Sequence, residues 1–232
     1  MKIIGFLKYV LPEYASDFES GKIFMQNLFY YKDEGVPDTL IKDLDEGVAC
    51  HEKDPNNYIV LFQIEGESEI HQLKELKSLR HSKWKSDIEN IKIHCFTIIT
   101  SEDVESTEDG LYKFKTSYLD SLPTYSEKRI IYITLDPNHF VNTIKNQLLE
   151  KEYISYRMGP VEYFDTKHPL FDNFNDIDNV LDTVFYKPNL YTSQREYRIA
   201  IYGYMKQSIP YNNYSDIWTK IDNLHNIRIK SH

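Results

Sequence analysis

At 232 residues the chain is long for one domain and short for two. Hydrophobic residues make up 41% of it, with 19 Tyr and 12 Phe, enough for one sizeable core, while 8 Gly and 9 Pro exclude collagen-like and low-complexity classes. A net charge of −9 excludes a surface that grips nucleic acid all over, though not a local basic face. The longest apolar run, 130–135, is strand-sized, far short of the roughly 18 residues a membrane-spanning helix needs. The first residues, Met-Lys-Ile-Ile-Gly, lack the long apolar stretch of a signal peptide, and two cysteines, Cys50 and Cys95, make no disulfide framework. Together these point to a cytoplasmic protein without a membrane partner, and 1–232 reads as a single domain.

In chain order, 3–9 alternates as a strand. Pro12 suits the first turn of a helix over 13–19, which Gly21 ends, and 22–26 reads as a second strand. The acidic stretch 33–54 is broken by Gly35, Pro37 and Gly47. Next, 58–64 reads as a buried strand, and Leu73, Leu76 and Leu79 predict a helix over 68–86. The β-branched and aromatic stretch 91–100 is a strand, 101–125 a long loop with a short helix, and 129–135 a strand. Asp136-Pro137 starts a helix whose core stripe is Phe140, Ile144 and Leu148. A hairpin is expected across Gly159-Pro160, a helix over 170–185, a loop over 186–193, a strand over 196–203 and a last strand at 227–229. Strands mix with helices without regular βαβ alternation, so the expected class is α+β, with mixed, mostly antiparallel sheets and flanking helices.

One stretch, 192–201, reads as chemistry. Gln194 and Glu196 stand two apart where a loop becomes a strand, so an amide and a carboxylate face one side. Arg195 and Tyr197 face away, and Arg198 returns to the Glu196 side. Two readings follow: an ion pair of Glu196 with Arg198 on a surface strand, or an amide–carboxylate pair aimed at a ligand.

The Gln-x-Glu of Gln194 and Glu196, late in the chain, resembles the catalytic motif of the ADP-ribosyltransferase superfamily. Lys8-Tyr9 falls where that superfamily places an Arg or His that holds NAD, and Cys95-Phe96-Thr97 falls where toxin-like members carry Ser or Thr at the nicotinamide pocket. The helix–glycine–strand of 13–26 is similar to the first unit of DNA- and RNA-modifying members. The chain also resembles an uncharacterised bacterial family of defence and mobile-element contexts, which shares Lys-Tyr, Cys-Phe-Ser/Thr and Glu-Tyr-Arg. It departs from the superfamily pattern in having Lys8 for Arg, a point charge for a bidentate fork, and in lacking Ser-Thr-Ser.

The resemblance implies an ADP-ribosyltransferase-like fold and NAD-dependent modification of a nucleic-acid or protein acceptor, by a toxin or anti-phage effector with an antitoxin or chaperone partner. In that reading Glu196 stabilises the oxocarbenium-like ribose and Gln194 orients the acceptor. Lys8 meets the NAD phosphates, Tyr9 or Tyr31 stacks on nicotinamide, Thr97 lines its pocket, and Tyr191 stacks on the acceptor. No metal is required.

A second feature is basic: between 71 and 85, Lys74, Lys77, Arg80, Lys83 and Lys85 face the single acid Glu75. With Trp84 among them, Lys74, Lys77 and Arg80 are candidates for nucleic-acid phosphates with a stacked base, against the plainer reading of a solvated face. The pairs Cys50-His51 and His94-Cys95 match no structural zinc spacing. Asp43, Asp45 and Glu46 would hold Mg²⁺ in a nuclease, the alternative enzyme reading, and otherwise form an acidic solvated loop. A non-catalytic binding module is the third reading.

Overall fold

The computed structural model describes residues 2–32, 46–47, 50–52, 61–63, 69–72, 81–83, 87–150, 155–165, 179–203, 208–210 and 214–230. The β-branched and aromatic segments among them build a seven-stranded sheet. Numbered in chain order, its strands are β1 (Ile3–Val10), β2 (Gln26–Asn27), β3 (Ile91–Thr100), β4 (Ile130–Thr134), β5 (Ser155–Pro160), β6 (Glu196–Tyr202) and β7 (Thr219–Ile221). They run in the order β5-β6-β3-β1-β4-β7, every pair antiparallel, with β2 also laid against β3. The fold is thus α+β and mostly antiparallel, with few helices. No described helix is long and apolar enough to cross a membrane.

Alternation along the strands sorts side chains to two faces. On one, Phe6, Phe96, Tyr197 and Ile199 pack against Phe140, Ile144 and Leu148 of the helix Pro137–Leu149 and against Trp218. Asp136 caps that helix by accepting from the His139 amide at 2.9 Å, as its sequence predicts. The other face carries two further clusters, one around Ile91, Ile93, Val184 and Ala200 and one around Leu7, Ile99, Phe114 and Ile133.

The sheet forks at its centre. β1 pairs with β3 from Ile3↔Thr100 to Leu7↔Thr97, and then stays with β4 through Lys8↔Tyr132 and Val10↔Ile130. The β3 edge it leaves is taken up by β2, through Gln26↔Ile93 and Asn27↔Lys92. The helix Ala15–Glu19, Gly21 in its left-handed conformation (φ 77) and the strand Lys22–Phe24 make the excursion between the two arms.

Several expectations are corrected. The 68–86 helix gives way at both described ends: Ile70–Gln72 and His81–Lys83 are strands, paired with Leu61–Gln63 and Cys50–Glu52. Leu73, Leu76 and Leu79, whose spacing is the helical signal, lie outside the described residues. Leu61 is 58% exposed, so its strand is not a buried one. Gly159-Pro160 is no hairpin turn. Both residues end β5, opposite Arg198 and Tyr197, and Glu162–Phe164 instead pairs in parallel with Tyr186–Pro188. The loop over 101–125 contains an antiparallel pair, Val104–Ser106 with Tyr112–Phe114. Within 170–185 the described part is a 3₁₀ helix, Val180–Phe185. Near the end the strand is β7, and Ile229 makes an isolated bridge to Tyr112.

Candidate active site

The fork opens a cleft between Lys8–Val10 on one arm and Ile93–Thr97 on the other. Six residues nominated from the sequence line it: Lys8, Tyr9, Tyr31, Thr97, Gln194 and Glu196. They come from β1, the 3₁₀ helix Leu28–Lys32, β3, and the junction of the 3₁₀ helix Asn189–Gln194 with β6. Register explains part of the convergence, because Glu196 stands opposite Thr97 and Arg198 opposite Cys95, which puts all four on one face.

Gln194 and Glu196 do face one side, but not as neighbours on a strand. Gln194 ends the 3₁₀ helix, and Arg195 turns the chain through the left-handed region at φ 47, ψ 51. Lys187 Nζ receives both: it donates to Gln194 Oε1 at 2.7 Å and to Glu196 Oε1 at 2.8 Å. Lys187 is carried there by the parallel pair, where it lies opposite Tyr163, whose hydroxyl accepts from the Glu196 amide at 2.9 Å.

The other carboxylate oxygen of Glu196 accepts from Arg198 Nε at 2.6 Å. The sequence reading of a Glu196–Arg198 ion pair is therefore realised, but buried rather than on a surface: Arg198 is 1% exposed and Glu196 8%. Arg198 also donates to both oxygens of Glu46, at 2.6 and 2.9 Å, and to Val184 O. Burial alone would raise the Glu196 pKa, but the Arg198 and Lys187 charges overcome it and hold the carboxyl well below the usual range. The same carboxylates keep Arg198 firmly cationic against its burial.

Glu46 corrects the reading of its loop as acidic and solvated: it is 1% exposed and paired. Asp43 and Asp45 lie outside the described residues. Gly47 places Glu46, with φ +69 and no room for a side chain, since a Cβ there would stand 2.3 Å from Ile88 Cδ1 and 2.7 Å from Leu28 Cδ2. Gly47→Ala is expected to destabilise the protein by about 1–3 kcal/mol, read as a lower denaturant midpoint. A change below about 0.5 kcal/mol would show that this turn relaxes freely.

On the opposite wall, the Lys8 ammonium donates to Cys95 O at 2.8 Å and sits 5.4 Å from the Phe96 ring centroid. Burial, with Arg129 nearby, lowers its pKa to about 8. No carboxylate forms an ion pair with it among the described residues. Tyr9 packs on Tyr125 at 5.0 Å, and the Arg129 guanidinium lies 4.3 Å over Tyr125. Burial pushes the Cys95 thiol up to about 12, so it is not a ready nucleophile.

Tyr191 is not among the residues that line the cleft, and its ring centroid lies 4.8 Å from Lys187 Nζ. Lys74, Lys77, Arg80 and Trp84 lie outside the described residues. His94 and Cys95 both line the cleft, where His94 Nδ1 donates to Phe24 O at 2.6 Å, so that nitrogen carries the proton. The side chains of Cys50 and His51 lie outside the description. Among the described residues, no three His, Cys, Asp or Glu side chains gather closely enough to hold a metal ion.

Sequence reasoning missed Lys187, Tyr125 and Arg129, and it took Glu46 for a metal ligand or a solvated acid rather than a partner of Arg198. A lysine inside the otherwise apolar Val184-Phe185-Tyr186-Lys187-Pro188, and a Glu directly before a glycine, were the available signals. Compared with protein-family models, curated proteins and solved structures, the chain matches none.

Proposed function

We propose that this chain is an NAD-dependent ADP-ribosyltransferase with an ADP-ribosyltransferase-like fold, modifying a nucleic-acid or protein acceptor as a toxin or anti-phage effector. The observation that carries the reading is the convergence of Lys8, Tyr9, Tyr31, Thr97, Gln194 and Glu196 on one cleft in a forked sheet.

The lining suits NAD chemically. A partly buried ammonium with no described carboxylate partner, beside a second cation, favours an anionic diphosphate: Lys8 and Arg129. Tyr9, Tyr31 and Tyr125 offer flat apolar faces to planar rings. NAD supplies a ribose that gains positive charge as its bond to nicotinamide weakens. Glu196, ionised at any physiological pH, sets a fixed negative charge against it, and a carboxylate has lone pairs beyond the two that Lys187 and Arg198 occupy. Gln194, tied to Lys187, holds its amide beside that carboxylate to orient an acceptor.

The test is direct: incubate the purified chain with NAD, and measure nicotinamide release and transfer of labelled ADP-ribose to RNA, DNA or protein. Absence of both nicotinamide release and transfer would end the reading. Lys8→Ala should raise KM for NAD at least about tenfold, the scale of one lost charge-assisted contact. The pH dependence has a definite sign. Lys8 is charged below about pH 8, so NAD affinity should fall as pH rises through 8. Stability should move the other way, since lowering this lysine's pKa penalises the folded state below 8 and the penalty fades above it. Affinity flat from pH 7 to 9.5 would remove Lys8 from the phosphate site.

A second reading rests on the same carboxylate. With one oxygen on Lys187 and the other on Arg198, Glu196 also fits a structural ion-pair member in a non-catalytic binding module. The nuclease reading loses Glu46, which is committed to Arg198.

A further inference from the structure

Among the described residues, Arg195 alone of the non-glycines has a positive φ, and it stands between Gln194 and Glu196. Glycine would take this conformation without steric cost, so an arginine here calls for a reason in its side chain. That side chain points away from the cleft. Its Nη1 donates to Asp103 Oδ1 and its Nη2 to Asp103 Oδ2, both at 2.7 Å, a two-pronged contact that a lysine cannot make. Asp103 is itself fixed, because its Oδ2 accepts from the Thr100 amide and hydroxyl at 2.6 Å each. Thr100 ends β3, so the anchor belongs to the central strand. The guanidinium also lies 5.0 Å over the Tyr118 ring. The main chain completes the hold: Ile98 N donates to Arg195 O at 2.8 Å, and Arg195 N to Thr192 O at 3.1 Å.

We propose that Arg195 is a positioning residue: its clamp on Asp103 holds the left-handed turn that delivers Gln194 and Glu196 together to Lys187. Without the clamp, a non-glycine residue would relax toward extended or helical backbone. The amide and the carboxylate would then no longer converge on one ammonium. As a statement about catalysis this rests on the ADP-ribosyltransferase reading, whereas as a statement about geometry it does not.

Three variants test it: Arg195→Lys keeps the backbone penalty and loses the fork, Arg195→Gly removes both, and Asp103→Asn removes the anchor's charge with little change of shape. Arg195→Lys and Asp103→Asn should each lower kcat for NAD cleavage about 10- to 100-fold with KM within about twofold, the pattern of misplaced groups rather than lost binding, whereas Arg195→Gly, which takes the turn without strain, should lose less than Arg195→Lys. Arg195→Lys/Asp103→Asn should lose no more than the worse single variant, because the two residues act as one unit. Crystal structures of Arg195→Lys and Asp103→Asn should show Gln194 or Glu196 drawn off Lys187. Losses that multiply in the double variant, or a raised KM at wild-type kcat, would overturn the proposal. So would structures of those two single variants with both groups still on Lys187, or an Arg195→Gly variant that loses more than Arg195→Lys. Should the wild type fail to cleave NAD, the functional reading falls, and those structures alone decide whether Arg195 positions the pair.

Discussion

On the proposed ADP-ribosyltransferase reading, Glu196→Gln is expected to lower NAD cleavage about 100- to 1,000-fold, the usual cost of removing one preorganised electrostatic contact to a transition state. The reason is the charge itself. Arg198 and Lys187 keep Glu196 ionised despite its burial, and an amide of nearly the same shape carries none. The substitution also turns an NH₂ toward one of two cations that now meet an oxygen, at 2.8 and 2.6 Å. A loss of stability must therefore accompany the loss of rate, and the variant will not be a silent replacement. Activity should be measured per folded molecule, at a temperature well below the variant's melting transition. A folded variant that cleaves NAD at the wild-type rate would make Glu196 an ion-pair member and nothing more.

Arg198→Met is expected to destabilise the protein by about 3–5 kcal/mol, the scale for breaking a buried ion pair from one side. Lys187 and Arg198 balance Glu46 and Glu196, so the buried quartet is neutral as it stands. Without the guanidinium two buried carboxylates share one ammonium, 3.7 Å from Glu46 and 2.8 Å from Glu196. Glu46→Gln combined with Arg198→Met should recover part of the loss, because it removes the stranded charge. Urea midpoints of the two single variants and the double close the cycle, and strictly additive losses would show the pair uncoupled. The sign with pH is fixed by Glu196. Its folded pKa is depressed, so its contribution is present above the ordinary carboxylate range and is lost as pH falls below it.

Much of the frame was legible because period and composition agree with packing. The stretch 91–100 is a strand end to end, and Asp136-Pro137 starts a helix that buries Phe140, Ile144 and Leu148. Local signals failed where a distant partner decides the outcome. Gly159-Pro160 has the composition of a turn, yet it lies straight because β6 supplies the pairing. At the site, Gln194 and Glu196 were found by their spacing, but the spacing works through a 3₁₀ helix and a left-handed residue, which no two-residue period describes. Lys187 and Glu46 could not be found that way, since their importance lies in long-range contact. Glu46 meets an arginine 152 positions later in the chain.

The forked sheet has a consequence for what the cleft is made of. Most pockets are dents between finished elements, whereas this one is an interruption of a ladder, with the edges of two strands facing one another where pairing stops. Lys8 is the rung that spans the gap, its ammonium taking the Cys95 carbonyl that a strand neighbour would otherwise approach. An occupant of the cleft therefore stands in the place of a missing strand segment and meets main-chain groups as well as side chains. Recognition by backbone is indifferent to side-chain identity, so the width of this gap, held by Lys8, is a determinant of fit that substitution of the other lining residues leaves untouched.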